Sequence, residues 1–234
     1  MKKNIYRNIQ LSIVAIIIFI VVLGNTKTGQ LNKVANSKYL TSNTNDCIDE
    51  NNNNFNEKSG VFIDYRDKNQ YKRITIGTQI WLGENVSYDT DYGSWCYQDK
   101  SINCGIYGKL YNWEMAQKVC PSGWHLPNEE EFTILINYLG GKNVAGGKLK
   151  STGNLWKSPN SGATNSSGFS ALPGGSRMTD GLYLGPNRTA SFWCSTSISS
   201  RSATSYNIYS GSGCISRSMD SPKGQGKSVR CIKN

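Results

Sequence analysis

Apolar and polar positions change their rhythm several times along the chain. The first pattern is a continuous apolar run, LSIVAIIIFIVVLG from Leu11 to Gly24, behind a start that carries Lys2, Lys3 and Arg7. A basic start followed by a short apolar core is the layout of an export signal, and the run falls short of the ~20 residues that a comfortable membrane span needs. Residues 1–24 are therefore expected to be a signal peptide or, if uncleaved, an N-terminal anchor. Residues 25–59 are polar, nearly free of aromatics and contain NNNN at 51–54. Such a segment buries too little apolar surface to offset its ordering entropy, so a disordered linker is expected there.

From Val61 the rhythm becomes that of a folded domain. VFIDYRD and YKRITIGTQIWL alternate apolar and polar positions, as strands do. LYNWEMAQKVC at 110–120 reads as a helix, with Leu110, Trp113, Met115 and Ala116 near one side. NEEEFTILINYL at 128–139 reads as a second helix, with Asn128 as N-cap and Glu131 completing a capping box. Its buried face is expected to be Phe132, Leu135, Ile136 and Leu139, and Gly140–Gly141 should stop it. Beyond it, short apolar pieces (GFSALPGG, SFWCSTS, SYNIYS, KSVRCIK) sit among Gly, Ser and Asn and read as short strands joined by long loops. No long repeat is visible, so the reading is one α+β domain over 60–234.

Composition narrows the chemistry. Of the 234 residues, 26 are Lys or Arg against 16 Asp or Glu, for a net charge of +10, yet only 18% are charged. The basic residues are scattered, with no dense Lys/Arg stripe, which argues against nucleic acid as a partner. The excess fits solubility and attraction to acidic surfaces or polysaccharides. A single His removes most hydrolase triads and multi-His metal sites, while seven Cys point to an oxidising compartment. Localisation is accordingly expected to be secreted, cell-surface or periplasmic, with membrane contact only through the N-terminal segment.

Several strings, taken in order, resemble a known family. They are VFIDYRDKNQYKRITIGTQIWLGENVSY, GSWCY, NCGIYGKLYNWEMA, CPSGWHLPNEEEF, GFSALPGGSR, FWCSTS and SVRCIKN. Together they are similar to the Fibrobacter succinogenes major paralogous domain, over residues 61–234. That family is similar in turn to formylglycine-generating-enzyme and C-type-lectin-like folds, through GWHLPNEEEF at 123–132 and the closing SVRCIK. The resemblance implies two helices flanking a small twisted antiparallel sheet with long, disulfide-stapled loops. It also places Trp81, Trp113, Trp124 and Trp193 in motif strings, hence in the core.

Spacing alone leaves the pairing of Cys96, Cys104, Cys120, Cys194, Cys214 and Cys231 open. The lectin-like resemblance implies Cys120–Cys231 and Cys194–Cys214, which leaves Cys96–Cys104. Cys47 lies in the linker and is left unpaired, free or bonded to another chain. No C-x-x-C occurs and His125 is the only imidazole, so a zinc site is not expected.

The remaining motifs have plainer readings. His125 in GWHLP lacks a nucleophile elbow and reads as packed or hydrogen-bonded. Glu129, Glu130 and Glu131 suit a helix N-terminus better than glycoside cleavage. GQGKS at 224–228 lacks the leading Gly and following helix of a phosphate loop. Asp89, Asp91 and Gly93 suggest a calcium loop, but Ser94 and Lys100 occupy positions where an EF-hand needs Gly and Glu. The lectin sugar–calcium signatures are missing too, so irregular calcium sites alone stay open. Trp156, in STGNLWKSPNSG, is the expected exposed aromatic contact, with Arg177, Asp180, Tyr183 and Arg188 in the next loop.

These features point to an exported, non-catalytic binding or adhesion module that recognises polysaccharide or a surface glycan through loops. One alternative is a structural surface protein acting through a protein partner. Another is an oxidase like the formylglycine-generating enzymes, which needs a reactive late cysteine pair with copper; the surroundings of Cys194 and Cys214 do not match that motif.

Overall fold

The computed structural model describes residues 60–234. The expected leader or anchor, the linker and Cys47 lie outside the described residues. Thirteen strands and four α-helices follow one another among those described. Strands β1 (Val61–Ile63), β2 (Gln70–Ile76), β3 (Gln79–Leu82) and β4 (Ser94–Trp95) lead to helix α1 (Ser101–Tyr107). Then come β5 (Leu110–Tyr111), α2 (Trp113–Ala116), β6 (Trp124–His125), α3 (Glu129–Tyr138) and α4 (Lys142–Leu149). The last part is all strand: β7 (Ser176–Arg177), β8 (Tyr183–Leu184), β9 (Thr189–Ser197), β10 (Ser202–Tyr209), β11 (Ile215–Pro222), β12 (Lys227–Ser228) and β13 (Ile232–Lys233).

The architecture is α+β, with one sheet ordered β1-β2-β3-β13-β6, another ordered β11-β10-β9-β12-β5-β4, and the hairpin β7-β8. Pairing is antiparallel except for β12 on β9, where Ser228 lies opposite Phe192. The chain end therefore enters both larger sheets: β12 between β9 and β5, β13 between β3 and β6.

Helix α3 forms where its caps and apolar period place it. The Asn128 side chain accepts from the Glu131 N–H at 2.9 Å, and Glu131 accepts from the Asn128 N–H at 2.7 Å. Phe132, Leu135 and Leu139 are buried, Ile136 half-buried, and Phe132 stacks on Tyr206 with centroids 4.1 Å apart. Gly140 and Gly141, at φ 94° and 89°, end the helix in a conformation that side-chain-bearing residues avoid.

Two elements differ from expectation. Residues 110–120 are not one helix. Leu110 and Tyr111 extend to pair with β4 and β12, and Asn112 then caps a single turn by accepting from the Met115 N–H at 2.9 Å. The apolar residues at 110–116 thus serve a strand and a turn in succession. Helix α4 follows α3 directly, although KNVAGGKL has no helical apolar stripe. Its glycines are demanded by packing: a Cβ on Gly146 would lie 2.1 Å from the Cys214 carbonyl oxygen, and one on Gly147 would lie 2.2 Å from that of Gly162.

Two apolar clusters form the core. One joins Trp81, Phe132, Phe169, Phe192 and Tyr206, and the other Phe62, Tyr71, Leu82, Tyr111, Trp124 and Trp193. Trp81, Trp124 and Trp193 are buried and Trp113 is half-buried, donating its indole N–H to the Cys194 carbonyl at 2.9 Å. Phe132→Ala is expected to cost about 3–5 kcal/mol through loss of apolar burial and the cavity it leaves. Asn128→Ala should cost about 1 kcal/mol through loss of the cap. Urea unfolding of the three proteins measures both.

Candidate functional site

Strand alternation sorts the residues of β9 and β10 onto two faces. Ala190, Phe192, Cys194, Tyr206 and Ile208 point into the core. Thr189, Ser191, Ser205, Asn207 and Tyr209 take the other face, together with Trp193, which lies opposite Ser205. One open face on an antiparallel sheet is ordinary, but this polar face is covered. Ser205 is 0% exposed, Ser191 3% and Asn207 9%. The cover comes from β7, the end of β11 and the turn leading to β12, and it leaves a groove of about 300 Å³.

Ser176, Met178, Ser218, Asp220, Gln225 and Lys227 complete the groove walls. Ser191 donates to Asn207 Oδ1 at 2.8 Å, which leaves the Asn207 amide NH2 for a ligand. Ser205 and Ser221 share a hydrogen bond of 2.8 Å, and Gln225 donates to the Met178 sulfur at 3.5 Å. The rim holds Tyr209, 45% exposed, and the exposed Asp220.

Lys227 is the unusual member. Its side chain leaves β12 toward the groove and is only 6% exposed. Its ammonium lies 5.2 Å from the centroid of the fully buried Trp193 ring. No hydrogen bond or ion pair engages that ammonium among the described residues. Burial disfavours the charged form and pulls its pKa down to about 8.

The residues expected from sequence distribute differently. Trp156 is not an exposed contact. It is 4% exposed, donates its indole N–H to the Ala171 carbonyl at 3.0 Å and has the Lys150 ammonium 5.4 Å from its ring. It belongs to the apolar cluster that holds Phe132, Phe169 and Tyr206. Arg177 and Tyr183 do come together: the guanidinium stacks 4.3 Å from Trp95 and 5.9 Å from Tyr183. The Tyr183 hydroxyl donates to Asp99 at 2.6 Å. Arg177 Nε is buried without a hydrogen-bond partner. Asp180 accepts from the Leu182 N–H at 3.1 Å within the β7–β8 turn, and Arg188 is exposed just before β9.

The cysteines need one correction. Cys96–Cys104 and Cys120–Cys231 are bonded, but Cys194 and Cys214 are free thiols. Strand β10 lies between β9 and β11, which separates the two by two strand spacings of about 4.8 Å each. Register adds a shift along the strands, because Ile215 faces Ile208 and Ile208 faces Ala190, not Cys194. That exceeds the ~7 Å Cα separation a disulfide can bridge. Cys194 donates to Thr196 Oγ1 at 3.4 Å inside the core, where burial pushes its thiol pKa up. Cys214 is exposed and donates to the Asn143 carbonyl at 3.4 Å.

His125 is hydrogen-bonded through both nitrogens, to Asn234 and Glu131, each at 2.7 Å. Glu129 pairs with Arg217 at 2.7 Å. Asp89, in the loop that suggested calcium, pairs with Lys109 at 2.6 Å, which holds its carboxyl below the ordinary range. Among the described residues, no three or more His, Cys, Asp or Glu side chains are grouped to hold a metal ion.

Sequence reasoning missed Lys227, Ser191, Asn207 and Tyr209. Lys227 lay in GQGKS, rejected as a phosphate loop. The signal for the others was present: in SYNIYS the polar Ser205 and Asn207 alternate with Tyr206 and Ile208, which marks a strand with one polar wall.

The model of the Fibrobacter succinogenes major domain matches residues 74–233, a span that holds every groove residue. No curated protein and no solved structure matches the chain.

The unfolded chain holds the Lys227 proton to its ordinary value near 10.5, and the folded chain only to about 8. Below pH 8 both states are charged and the full cost of the buried charge is present; it fades as pH rises toward 10.5. Lys227→Met is expected to stabilise the protein by about 1–3 kcal/mol at neutral pH. Calorimetry of both proteins should show that gain shrinking between pH 8 and 10.5. Maleimide labelling with peptide mass mapping should mark Cys214 in the native protein and Cys194 only after denaturation.

Proposed function

The chain belongs to the Fibrobacter succinogenes major domain family, and from that premise we propose that it is an exported, non-catalytic binding module that recognises carbohydrate with the groove between β7, the polar face of β9 and β10, and the end of β11. One observation carries the reading: a sheet face that is covered yet lined with hydroxyls, amides and one carboxylate. Sugar hydroxyls are both donors and acceptors, and Ser, Asn and Asp match them. Tyr209 at the rim offers an aromatic face to a sugar ring.

The C-type-lectin-like reading of the fold rests on the resemblance carried by GWHLPNEEEF and SVRCIK, and the return of the chain end beside an early strand, β13 against β3, supports it. Residues 150–188 also form long loops with little strand, positioned on a rigid frame where recognition is commonly carried. Residues 1–24 would deliver the domain to the cell surface, the periplasm or the medium. Two disulfides among the described residues fit an oxidising compartment.

The test is a screen of glycans and plant polysaccharides against the purified, oxidised full chain, with calcium and again with chelator. Saturable binding is expected, weakened about tenfold by Tyr209→Ala, the size of a ~1.4 kcal/mol contact. Binding that survives chelator makes the groove side chains sufficient, and binding lost in chelator adds a calcium site. No binding to any glycan in either condition overturns the carbohydrate reading in favour of a protein partner.

A further inference from the structure

Three cations are buried deeply in this domain, and two of them have oxygen ligands. The Lys150 ammonium donates to the carbonyls of Ser161, Tyr209, Ser210 and Ser212 at 2.8–3.4 Å. Arg230 donates to Asn85 and to the carbonyls of Leu82, Gly83 and Phe169. Lys227 has no such set among the described residues, although it is 6% exposed. A cation so placed is costly unless something compensates it.

The compensation available to it is a ligand in the groove. Lys227 lines the groove, with its ammonium 5.2 Å from the centroid of the Trp193 ring behind it. The only carboxylate among the groove residues, Asp220, is exposed on β11 and forms no ion pair with it. Around this cation the walls carry the Asn207 amide and the Ser191 and Ser218 hydroxyls. The ammonium therefore calls for a negative group, and the walls call for hydroxyls on the same molecule.

Resting on the carbohydrate reading, we propose that the groove takes an anionic sugar, its carboxylate or sulfate ester held by the Lys227 ammonium and its ring hydroxyls by Asn207, Asp220 and the serines. A charge-assisted bond made at this depth is stronger than its surface equivalent. About 300 Å³ suits one sugar unit, and the solvent-facing rim at Tyr209 and Asp220 lets a polymer continue past it. Residues 1–24 carry three of the positive charges, Lys2, Lys3 and Arg7; without them the net charge of +10 becomes +7, which draws a polyanion toward the protein before the specific contact forms.

Calorimetric titration of the full chain tests this with four probes: a galacturonate trisaccharide, its methyl ester, a sulfated galactan oligosaccharide and inorganic phosphate. Lys227→Met is compared with Lys72→Met, which removes the same charge from an exposed position on β2. The galacturonate or the sulfated sugar is expected to bind at least tenfold more tightly than the methyl ester, and whichever binds identifies the anion. Lys227→Met should remove that preference and Lys72→Met should keep it. A melting curve for Lys227→Met separates lost binding from lost folding. Equal binding of acid and ester, or binding indifferent to Lys227→Met, overturns the anionic preference and leaves the carbohydrate reading standing. Binding of phosphate with no sugar bound overturns the sugar class itself. No binding of these probes alongside a neutral glycan captured in the screen overturns this inference alone.

Discussion

The structure depends on a buried guanidinium near the chain end. Arg230 is 1% exposed and lies between β12 and β13. It donates to Asn85 Oδ1 at 2.7 and 3.2 Å, to the Gly83 and Leu82 carbonyls at 2.8 and 3.2 Å, and to the Phe169 carbonyl. Its guanidinium stacks 4.2 Å from the Phe169 ring. One side chain thus joins the end of β3, the loop after α4 and the C-terminal strands. Burial lowers its pKa to about 9, which still leaves it charged at neutral pH. Truncating it would strand buried carbonyls, the costlier half of losing a hydrogen bond. Cys231, next in the chain, is bonded to Cys120 and fixes the same segment covalently. The groove inherits this anchorage, because Lys227 stands three residues upstream on β12.

Arg230, Lys150 and Lys227 also recast the basic excess. Read from composition, positive charge belongs on the surface. Here part of it lies inside, because a domain with long loops leaves carbonyls that no strand or helix ladder pairs. Lys150 gathers four of them beneath the 157–163 loop, beside Trp156, and Arg230 gathers three. Cations suit this task because Lys and Arg donate several hydrogen bonds and accept none.

What could be read in advance follows from how local each cause was. Helix α3 was legible because its capping box, its apolar stripe and its terminal glycines all lie within the segment itself. Residues 110–120 misled because Leu110 and Tyr111 answer to β4 and β12, the latter more than a hundred residues away. Helix α4 was hidden because Gly146 and Gly147 answer to the close approach of Cys214 and Gly162. Trp156 looked exposed because its neighbours in sequence are polar, while its neighbours in space are Lys150 and Ala171. Arg177 and Tyr183 were found, but they stack on Trp95 and Tyr97 and do not line the groove. Lys227 was out of reach, since nothing in GQGKS says that Trp193 lies beneath it.

The two faces of β9 and β10 explain why a site forms at this place. On one face, Phe192, Tyr206 and Ile208 pack on the apolar side of α3 and fix the strands rigidly. On the other, the same strands present Ser191, Ser205 and Asn207, which cannot form an apolar core of their own. Had that face been left open, water would satisfy it. Covering it with β7 and the end of β11 removes most of that water, and the buried apolar surface on this face is confined to Trp193 and Ala203, away from Ser191 and Asn207. Some of its groups then satisfy each other, as Ser191 does Asn207 and Ser205 does Ser221. Among the described residues the Lys227 ammonium has the Trp193 ring beneath it but no hydrogen-bonding or ionic neighbour, and a rigid, covered, polar wall with one charge lacking an anion is preorganised for a small polar anion.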